Sequence, residues 1–266
     1  MLRPAHPVAL AALFVAACAS APVPPAGLPV TPAQRGQGPD PAPFSTAISL
    51  DVLPPGWRPY RLSRLKKPTE YRLARVENGV IAMMAIADSS ASGLQYETVV
   101  DLNEYPFLSW SWKVPHAIAV GGNSITNIDD SPARVVVTFE GGRDRLPPAE
   151  QINYDLARAI GGNELPYATI MYIWESELPP GAVIAHRFST RVQMVVAGGG
   201  RGEPGAWHRQ VANVLEDYRR IFGEDPPLVK SVGIMSDSDN SGTRVTAYYG
   251  DIRFLGRPPA DSSASR

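Results

Sequence analysis

Apolar and polar residues alternate in short runs along most of the chain. Ile48, Leu50 and Val52 alternate with Ser49 and Asp51, and Tyr71 to Val76 alternates again. Period two sends successive side chains to opposite faces, so each run reads as a half-buried strand. Asn78-Gly79 follows the second run and is a strong hairpin signal. Val80 to Ala87 is almost continuously apolar and is expected to be covered on both faces. Leu94, Tyr96, Thr98 and Val100 form another alternation. In Phe107 to Val114, Leu108, Trp110, Trp112 and Val114 share one face, and Ser109, Ser111 and Lys113 the other. Strands are further expected at Ala133–Phe139, Ala168–Trp174, Val183–His186 and Arg191–Val196.

Helical period appears twice. Pro147 to Ile160 places Ile152, Leu156, Ala159 and Ile160 on one side. Trp207 to Phe222 carries a longer stripe: Trp207, Val211, Val214, Leu215, Tyr218, Ile221 and Phe222. Gly223 suits the end of that helix, and Pro226-Pro227 blocks its extension. The chain then reads as a last hairpin: Val229 to Met235, an acidic turn Asp237-Ser-Asp-Asn-Ser-Gly242, and Val245 to Phe254. Many short strands without strand–helix repetition predict an all-β fold with one or two packed helices. The architecture expected is an antiparallel β-sandwich of the jelly-roll kind. The closing Gly250-Asp-Ile-Arg-Phe254 resembles the last strand of galactose-binding-like jelly rolls.

The N-terminus changes the picture from a plain sandwich to an exported one. Arg3 precedes an apolar run, Val8 to Ala17, that is too short to span a bilayer. It runs into Val15-Ala-Ala-Cys18, which resembles the lipobox of bacterial lipoproteins. That resemblance implies a signal peptide over 1–17 and a lipid on Cys18, with the membrane as partner. Ala19 follows, and the resemblance then implies an outer-membrane lipoprotein of the cell envelope facing the periplasm or the surface. Cys18 is the sole cysteine, so no internal disulfide forms. Residues 18–43 are proline-rich and read as an extended tether. The sandwich is expected over 44–256, and 257–266 as a disordered tail. The net charge of −1 and the lack of a basic run argue against a nucleic-acid partner.

Several motifs stand in register across the folded part. They are Trp110-Ser-Trp112, Asp129-Asp130 with Ala133-Arg134, Tyr172-Ile-Trp174, Asn213 with Asp217-Tyr218 and Phe222-Gly223, and Gly233 to Gly242. Together they resemble the bacterial family catalogued as domain of unknown function 3047, over about Pro54 to Phe254. The resemblance implies an extracytoplasmic β-rich domain and carries no catalytic residues with it.

Candidate chemistry gathers on oxygen ligands. Asp237-x-Asp239-x-Ser241-Gly242 has the spacing of half a calcium loop, so Asp237, Asp239 and Ser241 are candidate Ca²⁺ ligands. Tyr248 stands where an EF-hand needs Glu, so Asp129, Asp130 or Asp251 would have to complete the shell. The bland alternative is a turn shaped by Asp and Asn side chains. Trp110 and Trp112 could form a stacking platform for sugars, but their apolar neighbours favour the core; Trp57, Trp174 and Trp207 read as core or helix-docking residues. The ligand contacts expected are Lys113, Asp129, Asp130, Arg134, Asp237 and Asp239. The function expected is non-catalytic binding of carbohydrate or another envelope polymer. Two rivals stay open: a glycan hydrolase using Asp129, Asp130 or Glu175, and a structural lipoprotein with an envelope protein as partner. Ser63-x-x-Lys66 and Ser238-Asp-Asn240 imitate penicillin-binding enzymes, but no Lys-Thr-Gly follows them.

Overall fold

The structure is a computed structural model that describes residues 39–259, apart from 62, 64, 116–129, 162–164, 176, 187–188 and 199–204. Cys18, the signal peptide, most of the tether, His116 and Asp129 therefore lie outside the described residues. Among the described residues no helix is long and apolar enough to cross a membrane.

Among the described residues thirteen strands and two helices follow in chain order. They are β1 (Trp57–Tyr60), β2 (Glu70–Arg75), β3 (Ile81–Asp88), β4 (Ala91–Val100), β5 (Phe107–Lys113) and β6 (Arg134–Phe139), then α1 (Pro148–Gly161), β7 (Ala168–Ile173), β8 (Val183–Ala185), β9 (Val192–Val196) and β10 (His208–Asn213), and finally α2 (Val214–Phe222), β11 (Val229–Asp237), β12 (Arg244–Tyr249) and β13 (Arg253–Leu255). One sheet has seven strands in the order β1-β4-β11-β6-β7-β9-β8. The other has the order β10-β5-β12-β3-β2, with β13 also paired to β5. The two sheets pack face to face as a β-sandwich. Every pairing is antiparallel except β7 with β9, which is parallel and departs from the purely antiparallel expectation.

Local rules explain much of this. Pro59 has no N–H to give a ladder, and it lies in β1, at a sheet edge. Asn78 and Gly79 adopt φ of 57° and 75°, which turns the chain from β2 into β3. Where β4 meets β11 the backbones come unusually close. A Cβ on Gly93 would sit 2.5 Å from the Ile234 carbonyl oxygen, and one on Gly233 2.6 Å from that of Leu94. Only glycine fits there.

Three expectations fail, each for a physical reason. Residues 48–52 form no strand, and Ile48 is fully exposed; a 3-10 turn at Phe44–Thr46 buries Phe44 against Trp57 instead. The helix expected from Trp207 starts only at Val214. Asn213 caps it, accepting from the Glu216 N–H at 3.1 Å, and His208 to Asn213 pair with β5. Pairing to a buried neighbour overrides a helical stripe. The short helix expected from Pro147 forms as α1, with Ile152 and Leu156 exposed and Tyr154 buried. Finally, β11 and β12 are no hairpin. β11 pairs with β4 and β6 and β12 with β3 and β5, so the acidic turn crosses from one sheet to the other. Just before the sandwich, Ala42 is buried and its carbonyl accepts from the Trp57 indole at 2.8 Å. The backbone N–H of Phe254 donates to Asp40 at 2.7 Å.

An aromatic column joins the sheets. Trp110 stands 5.2 Å from Tyr172, Trp112 5.9 Å from Trp174, and the two β5 tryptophans 5.4 Å apart. Trp110 is 2% exposed and Trp112 0%, as the core reading expected.

Candidate functional site

The inter-sheet turn brings together residues that are far apart in sequence. The chain from Asp130 to Ser131 runs beside the end of β11, where the Asp237 N–H donates to the Ser131 carbonyl at 3.1 Å. One ligand oxygen each from Asp130, Asp237 and Asp239 lies within 4.8 Å of the others. Asp237 is 4% exposed. Arg134, 2% exposed and projecting from β6, donates from Nη2 to Asp237 Oδ2 at 3.5 Å. Its backbone N–H donates to the Tyr249 hydroxyl at 3.2 Å, and that hydroxyl donates to the Met235 carbonyl at 2.6 Å.

Each carboxylate already has a task. Asp130 accepts from Asn240 N and Nδ2 at 3.2 and 3.0 Å and from Ser241 N at 2.6 Å. Asp239 Oδ2 pairs with Lys66 at 2.6 Å, and the other oxygen, Oδ1, is buried without a hydrogen bond. Asp237 Oδ1 accepts from the Asp239 N–H at 3.3 Å. Burial first, then the hydrogen bond and charge of Asp239 and the charge of Asp130, raise the Asp237 pKa to about 8 against the pull of Arg134. Burial also pushes Asp130 up, but its bonds from Ser241 and Asn240 outweigh that and leave it below its ordinary value. Two cations and three backbone N–H groups thus balance three carboxylates, which gives the corner a structural task of its own. Six to eight oxygens around Ca²⁺ would require further ligands there.

Four of the expected site residues, Asp130, Arg134, Asp237 and Asp239, meet at this corner. Ser241 meets the cluster through its N–H, which donates to Asp130, while its hydroxyl bonds to the Ser238 carbonyl and to Thr243 Oγ1. Glu175 is buried and accepts from the Glu177 N–H at 2.8 Å. Lys113 lies elsewhere, on the outer face of the six-stranded sheet, in one cross-strand row with Tyr248, Met84 and Arg72.

That outer face holds what the sequence reading missed. Lys113 Nζ bonds to Glu77 Oε1 and lies 5.6 Å from the Trp207 ring and 5.2 Å from the Tyr248 ring. The Trp207 indole donates to Glu77 Oε2 at 2.9 Å. Both rings are half-buried, so each keeps an exposed part. Bonds from Lys113 and then Trp207 pull the Glu77 pKa down to about 2. Trp207 was hidden by the helical stripe it begins. Asn213-x-x-Glu216, a capping pattern, was the signal that would have started the helix later.

The family model described as "Protein of unknown function (DUF3047)" matches residues 55–253. The chain belongs to that family. No curated protein matches the DUF3047 chain. Among solved structures it is similar to an exo-β-agarase, at 13% identity and a TM-score of 0.34, covering 84% of this chain and 26% of that one. It is also similar to a cellulase derived from the Cel12A enzyme of Rhodothermus marinus, at 9% identity and a TM-score of 0.33, covering 74% and 94% of the two chains. This DUF3047 chain spans about a quarter of the agarase's length.

Proposed function

We propose that this DUF3047 protein is an outer-membrane lipoprotein, anchored through Cys18, whose sandwich binds carbohydrate or another envelope polymer without turning it over. The observation that carries the reading is the pair of half-buried aromatic residues, Trp207 and Tyr248, whose rings both lie within 6 Å of Lys113 Nζ. Aromatic faces stack on the C–H faces of sugar rings. Lys113 and Glu77 hold the two rings in place before a ligand arrives, which lowers the ordering cost of binding. Trp110 and Trp112, the platform candidates of the sequence, lie in the core, and the proposed platform is on the opposite face of the same sheet.

Binding is favoured over hydrolysis by the state of the carboxylates. Glycoside hydrolysis ordinarily needs an acid and a base or nucleophile on either side of the scissile bond. Asp237 and Asp239 are tied to Arg134 and Lys66, and Asp130 to the turn amides. Calcium enters the proposal at this corner, with Asp130 joining Asp237, Asp239 and Ser241.

The test is an array of bacterial and plant glycans probed with the purified chain, in calcium and again in chelator. Binding that Trp207→Ala removes at unchanged Tm supports the platform. Binding that chelation or Asp239→Ala also removes places the ion in the same function; binding indifferent to both discards the ion alone. Release of reducing ends from a bound glycan would support the hydrolase instead. No glycan bound in either buffer would overturn the proposal and favour a structural lipoprotein with a protein partner.

A further inference from the structure

The two ends of the sandwich differ. At one end of the seven-stranded sheet Val100 pairs with Val229, Val229 with Phe139 and Phe139 with Ala168, so β4 and β6 finish there and β11 and β7 begin. The acidic corner at Asp237 and Arg134 lies at the other end. The chain enters at the first end. The Thr98 hydroxyl, two residues before the end of β4, donates at 3.0 Å to the carbonyl of Pro39, the first described residue. Cys18 stands about 20 residues earlier in a proline-rich run. At ~3.1 Å per residue such a run reaches about 60 Å at most. A lipid on Cys18 thus holds this end of the sandwich within reach of the bilayer.

The same end carries exposed apolar side chains. There α1 lies in the connection from β6 to β7, and its inner face is pinned. Glu150, 7% exposed, accepts from Ser189 Oγ and Thr190 Oγ1 at 2.8 Å and from the Thr190 N–H at 2.7 Å, and Tyr154, one turn on, is buried. At ~100° per residue, Ile152 and Leu156 lie roughly 200° and 240° round the helix from Glu150, on its far side. Ile152 is 68% exposed and Leu156 57%, and exposed Ala159 continues their stripe. Val99, beside Thr98, and Leu228, beside Val229, are exposed as well. Single exposed apolar residues are ordinary, but a helical stripe at the point where the chain enters is not a scatter. Charge decides how such a face would meet a lipid surface. Residues 143–161 hold three arginines and three carboxylates, with Arg143 paired to Asp155 at 2.6 Å. Insertion of apolar side chains, not attraction to anionic headgroups, is the available force.

We infer that this end of the domain rests on the bilayer that holds the Cys18 lipid, with α1 lying in the interface and Ile152, Leu156 and Val99 reaching into the lipid. The inference rests on the proposed anchor and not on the glycan platform. The anchor supplies a high local concentration of membrane, so a short apolar face suffices for a second contact. The contact orients the domain and turns the acidic corner away from the bilayer.

The test uses full-length lipidated chain in phosphatidylethanolamine–phosphatidylglycerol vesicles. Cys18 is the sole cysteine, so once it is lipidated an introduced cysteine is the only thiol. Nitroxide labels are placed at Leu156→Cys, at Val99→Cys and at Arg244→Cys, an exposed site on β12 at the acidic end. Collisions with oxygen, which enters lipid, are compared with collisions with a nickel chelate, which stays in water. A label about 5–10 Å deep is expected to favour oxygen about tenfold more than the label at Arg244→Cys. Leu156→Asp in the Val99→Cys chain is expected to return the Val99 label to the water value at unchanged Tm, with the chain still on the vesicles. High salt is expected to change neither. Labels at Leu156→Cys and Val99→Cys that read as water on vesicle-bound chain overturn the inference and leave the anchor standing. Dipolar broadening of the Leu156 label means that a second copy covers α1, and also overturns it. Wild-type chain that takes the label and does not float with vesicles carries a free Cys18 thiol; that outcome refutes the anchor itself, and the inference with it.

Discussion

Replacing Arg134 with Met tests the electrostatics of the inter-sheet corner. Arg134 is 2% exposed and Asp237 4%, and the guanidinium is 3.5 Å from the carboxylate. Met keeps much of the side-chain volume and removes the charge. Asp237 is then left buried beside Asp130 and Asp239 without its cation. Breaking one partner of a buried pair costs about 3–5 kcal/mol. A domain of this size loses about 2–4 °C of Tm per kcal/mol, so the expected fall is roughly 6–20 °C once the pH is high enough (~10) to ionise Asp237. The pH dependence has a definite sign. Asp237 is raised from 3.8 to about 8, so in the window between those values the native state holds a proton that the unfolded state releases. That contribution to stability is complete below 3.8 and is lost as pH rises through about 8. Without Arg134 the Asp237 pKa rises further, so the variant goes on losing stability as pH rises above about 8, where the wild type has levelled off. The Tm deficit should therefore be smaller at pH ~5, where Asp237 carries its proton, than at pH ~10. Arg134→Met/Asp237→Asn should recover most of it, since no unpaired carboxylate remains. Thermal melts followed by circular dichroism at the two pH values decide the matter. An equal deficit at both, or a double variant as unstable as Arg134→Met, would refute the reasoning.

Other outcomes follow from the same geometry. Asn213→Ala removes the cap on α2 and should cost about 1 kcal/mol, read as a Tm fall of about 2–4 °C; an unchanged Tm would mean the cap bond does not contribute. Glu77 is depressed from 4.5 to about 2, so its contribution is complete above 4.5 and lost as pH falls towards 2. Glu77→Gln should therefore flatten the acid side of the Tm-against-pH curve and shift the Trp207 indole signal. A curve identical to the wild type's would show that Glu77 does not hold Lys113 and Trp207 in solution.

Period-two alternation located β2, β4 and β5 from sequence alone, because a half-buried strand must send every second side chain to the core, and it placed Trp110 and Trp112 inside. Apolar runs located β7 and β9, and Asn78-Gly79 the turn between β2 and β3. The motifs in register carried the family. Local pattern could not tell whether two neighbouring strands pair with each other, since the residues of β11 and β12 read alike for a hairpin and for a crossing between sheets. Nor could it weigh the helical stripe from Trp207 against the offer of a free edge on β5. Both were decided by long-range pairing. The same holds for the candidate sites. The acidic turn was legible because Asp237 and Asp239 are two residues apart. Tertiary structure alone brought Asp130, Arg134 and Lys66 to it, set Trp207 and Tyr248 around Lys113, and left Val99, Ile152 and Leu156 exposed at the end where the chain enters. Such sites depend on which strand faces are covered, and covering is a property of how the sheets are packed, not of any one segment.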